Sequence, residues 1–372
     1  MVQIASGQNT TNDLANRINI VTTAVPFLSI KLNPAVNGVI TTIPDGTCGP
    51  GIYGNNALPA LDSNKLQASV DIVPWIRQLY PDRNLYNFGA AYRLNDKHTI
   101  GFNLCYFSLG TQTVNTTLPV IHPSEFAGTF YYTYNLDKFT GIGVGLKYIS
   151  SNLTGGYYVG GIESHPGTAV AVDLGFAKQF PGRNGKMDQF FGISLNNVGS
   201  KISYTQNSDK DFIPITLKAG YGIRLYISGR QSLTLSYECT KLLVPSPPVY
   251  YADSVDGNND PIIQAGYDPN VGVFRGMIQS IYDAPGGIQE EFHEINHSFG
   301  MVYNYRFLSA GTGYHYQNET KGNNKFFTIG LSGNFKLNRA GTSLCRLNVS
   351  YLLPIYENSP LRTVQVGMNL VI

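Results

Sequence analysis

From about residue 67 onward, apolar and polar residues alternate with a period of two, and this limits the fold more than any single motif does. In Tyr86-Asn87-Phe88-Gly89-Ala90-Ala91-Tyr92-Arg93-Leu94 the even positions are apolar and the odd ones hold Asn, Gly, Ala and Arg. Ile142, Val144, Leu146 and Tyr148 alternate with Gly141, Gly143, Gly145 and Lys147; Val170, Val172, Leu174 and Phe176 alternate with Ala171, Asp173, Gly175 and Ala177. The pattern also sets Leu217, Ala219, Tyr221, Ile223 and Leu225 against Lys218, Gly220, Gly222 and Arg224. It sets Leu233, Leu235, Tyr237 and Cys239 against Thr234, Ser236, Glu238 and Thr240. A period of two places successive side chains on opposite faces of a strand, so each segment has one apolar and one polar face. About fourteen segments read this way: 67–76, 84–94, 98–108, 125–136, 139–152, 168–180, 188–198, 213–227, 231–242, 292–306, 307–317, 323–336, 342–353 and 361–372.

Most of these segments have about the 9–11 residues that a tilted strand needs to cross a bilayer. No apolar run reaches about 18 residues, so a membrane-spanning helix is not available. Only helices and closed barrels satisfy every backbone group in lipid, which leaves the barrel. The connections agree. Those after the second, fourth, eighth and tenth segments are short, and those after the third, fifth, seventh and ninth are long, the last covering 243–291. Short turns on one side and long loops on the other are the pattern of outer-membrane barrels. Charged residues are 13% of the chain and aromatics 12%, against about 25% charged in soluble domains. Net charge is +2 with no run of five like charges, which argues against nucleic acid, whose phosphates need a concentrated basic face.

The expected fold is therefore all-β, a 14-stranded antiparallel transmembrane β-barrel over 65–372. Arg93, Lys147, Asp173, Lys218, Arg224 and Glu238 fall on the polar faces, which would line its lumen. Residues 1–64 lack the alternation and are rich in Asn, Thr, Gly and Pro, with one apolar run, Ala24-Val25-Pro26-Phe27-Leu28. This segment is expected to plug the lumen, to lie at the periplasmic mouth, or to be a loose arm. Met1-Val2-Gln3-Ile4 carries no secretory-signal pattern.

His293-Glu294-Ile295-Asn296-His297 matches H-E-x-x-H, a zinc protease signature that works only on a helix, where i and i+4 are about 6 Å apart. Here it runs into the alternating Phe299, Met301, Tyr303 and Tyr305, and on a strand the two histidines would stand about 13 Å apart. Gly286-Gly287 upstream gives no support for a helix either, so a polar loop entering a strand is the expectation. Glu290-Glu291 reads as a solvated loop pair. Gly141, Gly143 and Gly145 read as small lumen-facing residues rather than a nucleotide loop. Cys48, Cys105, Cys239 and Cys345 are widely spaced with no CxxC, which argues against metal or redox chemistry. There is no G-x-S-x-G elbow. No cofactor or metal is expected.

The 243–291 connection is the best functional candidate that the pattern provides. Pro247-Pro248 and Asp256-Gly257-Asn258-Asn259 make it irregular, but 273–282 is too apolar for a simple solvated loop. Val273, Phe274, Met277, Ile278, Ile281 and Tyr282 should dock in the lumen or on a partner. Asp283, Pro285, Gly286 and Gly287 would fix the turn that aims them.

Several segments resemble the PorV family, outer-membrane barrels of the type IX secretion system of Bacteroidota, related to the FadL-like transporters. They are Thr22-Thr23-Ala24-Val25-Pro26-Phe27-Leu28, Val73-Pro74-Trp75-Ile76-Arg77, Tyr106-Phe107-Ser108-Leu109-Gly110, Asn197-Val198-Gly199-Ser200-Lys201-Ile202-Ser203-Tyr204, Asp211-Phe212-Ile213-Pro214 and Lys241-Leu242-Leu243-Val244-Pro245. The most distinctive is Gln279-Ser280-Ile281-Tyr282-Asp283-Ala284-Pro285-Gly286-Gly287 with Glu290-Glu291, followed by Thr320-Lys321-Gly322-Asn323. The resemblance implies a FadL-like outer-membrane barrel without enzymatic activity. It implies as partners the type IX translocon pore protein, the C-terminal signal domains of cargo, and the sortase of the attachment complex. Asn33-Pro34-Ala35 follows the family's pattern, whereas Val36 to Asn64 lacks its Gly/Met-rich stretch; the chain ends on Ile372, where many outer-membrane barrels end on Phe. Two other functions compete: a FadL-like channel for small hydrophobic molecules, disfavoured by charged, Gly-rich lumen faces, and a lipopolysaccharide deacylase, for which no acid/base or nucleophile constellation is found.

Overall fold

Fourteen strands pair antiparallel with their sequence neighbours, and the first pairs with the last, so no edge is left open. A computed structural model describes residues 14–30, 36–44, 54–77, 79–111, 120–154, 158–159, 162–205, 210–257, 259–337, 343–356 and 362–372. Asn33-Pro34-Ala35, Cys48 and Asn258 lie outside the described residues. The strands are β1 (Leu66–Pro74), β2 (Asn84–Arg93), β3 (His98–Ser108), β4 (Ser124–Asp137), β5 (Thr140–Asn152), β6 (Gly167–Pro181) and β7 (Met187–Gly199). They continue as β8 (Thr216–Ser228), β9 (Gln231–Leu242), β10 (Asn296–Tyr305), β11 (Leu308–Tyr316), β12 (Phe326–Lys336), β13 (Leu344–Pro354) and β14 (Thr363–Val371). Closure matters because an open edge would leave a row of unpaired N–H and C=O groups in hydrocarbon, where each costs several kcal/mol (about 4–8 on a cyclohexane scale).

The alternation explains which face goes where. Along β5, Ile142, Val144, Leu146 and Tyr148 are exposed on the outside, while Gly141, Gly143 and Gly145 are buried inside and Lys147 points inward. Because the strands alternate in direction, the connections that follow β2, β4, β6, β8, β10 and β12 leave from one rim, the short-turn rim, and those that follow β1, β3, β5, β7, β9, β11 and β13 leave from the other, the long-loop rim. Register shifts occur near the short turns at Asn135/Asp137 and Tyr226/Ser228, and a further one lies between β6 and β7. The register shifts between Val172 and Leu174, and Asn197 takes a positive φ of 63°. Asp173 accepts from the Asn197 amide (2.7 Å), Lys147 Nζ reaches Asp173 at 2.8 Å, and Asn197 Nδ2 donates to the Pro214 carbonyl.

The described parts of the N-terminal arm (14–30, 36–44 and 54–65) lie in turn near the long-loop rim, within the barrel and at the short-turn rim. Asn19 donates to Glu290 and to the Pro247 carbonyl near the loops. Val25, Phe27 and Leu28 pack with Val73, Leu85, Phe107, Ile149, Ile213 and Leu243 in the largest apolar cluster, with Phe27 stacked on Phe107 at 6.3 Å. Farther in, Asn56 accepts from Thr133 Oγ1 (2.7 Å) and Ala60 from Asn135 Nδ2 (2.6 Å). Asp62 accepts from Arg93 at the short-turn rim. Lumen glycines make room for this arm. A Cβ on Gly143 would collide with the Asn56 carbonyl, and one on Gly220 with the Thr42 hydroxyl.

Two expectations need correction. The tenth strand starts at Asn296, not 292, because the residues before it end a helix. The long connection is also far from irregular. It carries a hairpin (Val249–Val255 with Pro261–Ala265) and two helices, α1 (Val273–Gln279) and α2 (Gly287–His293).

Candidate functional site

Helices α1 and α2 form a lid over the long-loop rim. α1 is amphipathic over barely two turns, so its position comes from packing rather than propensity. Its Gly276 lies against the Phe212 ring and Pro245, where a Cβ would not fit. Val273 and Met277 pack on the apolar cluster that holds Phe27. At the first residue of α2, Gly287 takes φ 68°, a left-handed conformation that favours glycine. Gly286 lies so close to Ala15 of the arm that a Cβ would collide with it. Pro285 and Asp283 are buried in this turn, and Asp283 accepts from the Ser246 amide at 3.1 Å.

A buried ionic cluster seats the lid. Lys321 Nζ reaches Glu290 at 2.6 Å and Glu294 at 2.9 Å; Lys241 Nζ reaches Glu294 at 2.7 Å and Glu291 at 2.9 Å. Glu290 and Glu291 also accept from the amides of Gly286 and Ala284, which satisfies donors at the start of α2. Burial alone would raise the Glu294 carboxyl, but the ammonium groups of Lys241 and Lys321 outweigh it and hold it below the usual carboxylate range. Asp283 has no such cation. Burial first, and then the nearby Glu291 and Glu294, push it up to about 7 against the Ser246 hydrogen bond. Glu290 and Glu291 are thus buried ion-pair partners, a correction to their reading as solvated. α2 begins at Gly287 and ends at His293, so a helix starts beside Gly286-Gly287 but does not span the H-E-x-x-H residues; the positive φ of Gly287 supplies the turn that starts it.

The outer face of the lid is apolar. Phe274 and Ile278, four apart on α1, are 74% and 63% exposed; Ile288 and Phe292, four apart on α2, are 76% and 63% exposed. Ile281 and Tyr282 continue the surface, with the Tyr282 ring edge-on to Tyr267 at 5.5 Å. The apolar stretch therefore divides: Val273 and Met277 face the core, and Phe274, Ile278, Ile281 and Tyr282 face out. Ile288 and Phe292 complete the patch but were missed, because two apolar residues four apart beside Gly286-Gly287 give too short a helical signal. Lys241, Lys321 and Asn19 were missed because nothing local marks a partner in another loop.

The polar-face residues occupy the inside of the barrel. Glu238 is fully buried and accepts from the amides of Thr41 (2.8 Å) and Thr42 (3.0 Å) and from both hydroxyls. Lys218 donates to Thr41 Oγ1 at 3.2 Å. Arg224 donates to Thr234 and to the Pro44 carbonyl and lies over the Phe190 ring. Lys147 and Asp173 close the β6–β7 irregularity, and Arg93 holds Asp62 where the arm leaves the lumen. These side chains hold the arm and the wall rather than converging on one point. Of the H-E-x-x-H residues, His293 ends α2 and His297 lies on β10 with its Nδ1 2.7 Å from the Tyr237 hydroxyl, so no single helix carries both. Among the described residues no group of three His, Cys, Asp or Glu is placed to hold a metal, and Cys239 and Cys345 are not joined in a disulfide.

Comparison with known proteins gives a family match and several structural ones. A family model described as type IX secretion system protein PorV matches residues 12–249. No curated protein matches. Among solved structures, the chain is similar to the CymD monoaromatic hydrocarbon channel (12% identity, 92% of this chain and 97% of that one, TM-score 0.48). It is similar to the Pseudomonas putida toluene transporter TodX (12%, 95% and 98%, 0.48). It is also similar to a Pseudomonas aeruginosa FadL homologue (9%, 95% and 98%, 0.47).

Proposed function

This chain belongs to the PorV family of outer-membrane type IX secretion proteins, and from that premise we propose that it is a non-enzymatic cargo carrier. It receives secreted proteins by their C-terminal signal domains at the translocon pore and delivers them to the sortase of the attachment complex. The observation that carries this reading is the lid, whose apolar outer face is held rigidly by a buried ionic cluster. Four large apolar side chains 63–76% exposed on two short helices are costly to leave in water, and aromatic anchors of this type supply most of the energy at protein interfaces. Buttressing lowers the ordering cost of binding. The lid therefore fits a protein partner better than a small solute.

The test is to replace the outward pairs only, as Phe274→Asp/Ile278→Asp and Ile288→Asp/Phe292→Asp. Both variants are expected to remain heat-modifiable barrels in the outer membrane, with cargo secretion and co-purification with the translocon reduced at least tenfold. Normal secretion by both variants would move the binding surface elsewhere.

One observation favours a second reading, a channel for small hydrophobic molecules. A cavity of about 540 Å³ lies between the arm and the wall, lined in part by Leu28, Ile30, Trp75, Leu242, Phe326 and Leu352. Buried arm residues such as Asn37, Thr42, Asn55 and Asn56 lie across the lumen, so passage would require the arm to move.

A further inference from the structure

Two carboxylates inside this barrel are well compensated: Glu238 takes four donors from Thr41 and Thr42, and Asp173 pairs with Lys147. Asp71 of β1 differs. It is 3% exposed, its Oδ2 accepts from Asn87 Nδ2 at 3.2 Å, and its Oδ1 has no hydrogen-bond partner. Asn87 in turn accepts from Asn103 Nδ2 at 2.9 Å, so only amides stand behind it. Among the described residues no ion pair reaches Asp71. An ionised carboxylate buried alone is very costly, so a group placed like this is neutralised by something.

The register gives its surroundings. Ser69 and Asp71 stand two apart on β1, both on its buried inner face. Across the β1–β2 pair, Asn87 is opposite Asp71 and Gly89 opposite Ser69. Across the β1–β14 pair, Gly367 is opposite Asp71 and Asn369 opposite Ser69. One strand farther, Asn348 of β13 is opposite Gly367, and Ser332 of β12 is opposite Asn348. Ser69 is 1% exposed and Ser332 3%, and neither hydroxyl has a hydrogen-bond partner. The nearest cationic side chain in this register is Arg346, opposite Asn369 on β13. Its Nε donates to Asn334 of β12, on the side away from β1.

We infer that Asp71 and Ser69 hold an alkali-metal cation in the lumen wall, with the amide oxygens of Asn369 and Asn348 on the same inner face. A proton would serve one oxygen, whereas this face presents several, Asp71 Oδ1, Ser69 Oγ and Ser332 Oγ among them without partners. Hydroxyls turn their lone pairs to suit, and carboxylate, hydroxyl and amide oxygens are the donors of hard cations. A single carboxylate balances a single positive charge and would leave a divalent ion half compensated. The site lies on the closing seam, where the first strand meets the last. A cation shared between β1 and β14 therefore holds the barrel shut, and by mass action it stabilises the folded state.

Thermal unfolding of the detergent-solubilised barrel, followed by loss of its heat-modified gel mobility, tests this in sodium chloride against choline chloride at equal ionic strength. Sodium should raise the transition of the wild type by about 3 °C or more, saturating with concentration. Asp71→Asn, which removes the charge at equal size, should lose that response. Glu125→Gln should keep it, because Glu125, also 3% exposed, already accepts from Ser151 Oγ at 2.8 Å. Ser69→Ala serves if Asp71→Asn fails to fold; it should raise the sodium needed for half the shift by about fivefold. Sodium NMR gives a reading independent of stability: the wild type, and not Asp71→Asn, should broaden the ion's resonance. Equal transitions in sodium and choline, an unchanged sodium response in Asp71→Asn, or an equal loss in Glu125→Gln would each overturn the site. A response to pH but not to sodium, abolished by Asp71→Asn, would overturn it by placing a proton there instead. Stronger stabilisation by calcium chloride, lost in the same variant, would overturn the single charge.

Discussion

Two buried carboxylates anchor the arm and the lid, and they do so in different ways. Glu238 of β9 gathers four donors from Thr41 and Thr42, which anchors this turn of the arm to the wall. Asp283 has one amide donor, from Ser246, and one oxygen without a hydrogen-bond partner. Its carboxyl is raised from 3.8 to about 7, so the folded lid binds a proton more tightly than the unfolded chain does. Stability then falls as pH rises from about 4 to about 7 and is flat above that. Glu294 is shifted the other way and loses its contribution only below the ordinary glutamate range, outside this window. Amide hydrogen exchange of α1 and α2, corrected for intrinsic rates, should therefore be slower at pH 5.5 than at pH 8. In Asp283→Asn the protection should stay at the low-pH level throughout; an undiminished pH response in that variant would place the titration on another group. None of this was legible at residue level. Glu290-Glu291 looks solvated because their partners Lys321 and Lys241 are 31 and 50 residues away.

Strands carry their own signature, and short helices do not. Alternation marks β5 unambiguously because lipid on one side and arm on the other impose opposite chemistry on adjacent residues. Leu146, 65% exposed on the outside, should not accept a charge: Leu146→Arg costs about 2–4 kcal/mol near the bilayer midplane and is expected to abolish the heat-modified band on gels. Arg224→Ala, at a lumen position that already faces polar groups, should leave the band intact. If both variants lose it equally, the inside and outside of the wall are misassigned. α1 and α2, of seven residues each, offer less than the 11 or so residues over which helical periodicity can be read. They form because Gly276 can approach Phe212 and because Glu290 meets Lys321.

The whole molecule is a barrel whose interior is occupied by its own N-terminal arm, and its transport properties should follow from that. Reconstituted in a planar bilayer, the intact protein is expected to show no open-channel conductance. Removing residues 36–61 should produce stable open channels, and Glu238→Ala, which removes the acceptor for Thr41 and Thr42, brief openings. Conductance by the intact protein would mean that the arm does not seal the lumen. By itself, the sequence determined the barrel: strand number, the sidedness of each strand and the inequality of the two rims are written in near neighbours, since period-two patterning and link length are local properties. The path of the arm, the ionic seat of the lid and the split of the apolar stretch into buried and exposed halves were decided only by the tertiary structure. Each depends on contacts between segments far apart in the chain, such as Thr41 with Glu238, Asn19 with Glu290 and Arg306 with Arg230, and no local pattern records which distant groups will meet.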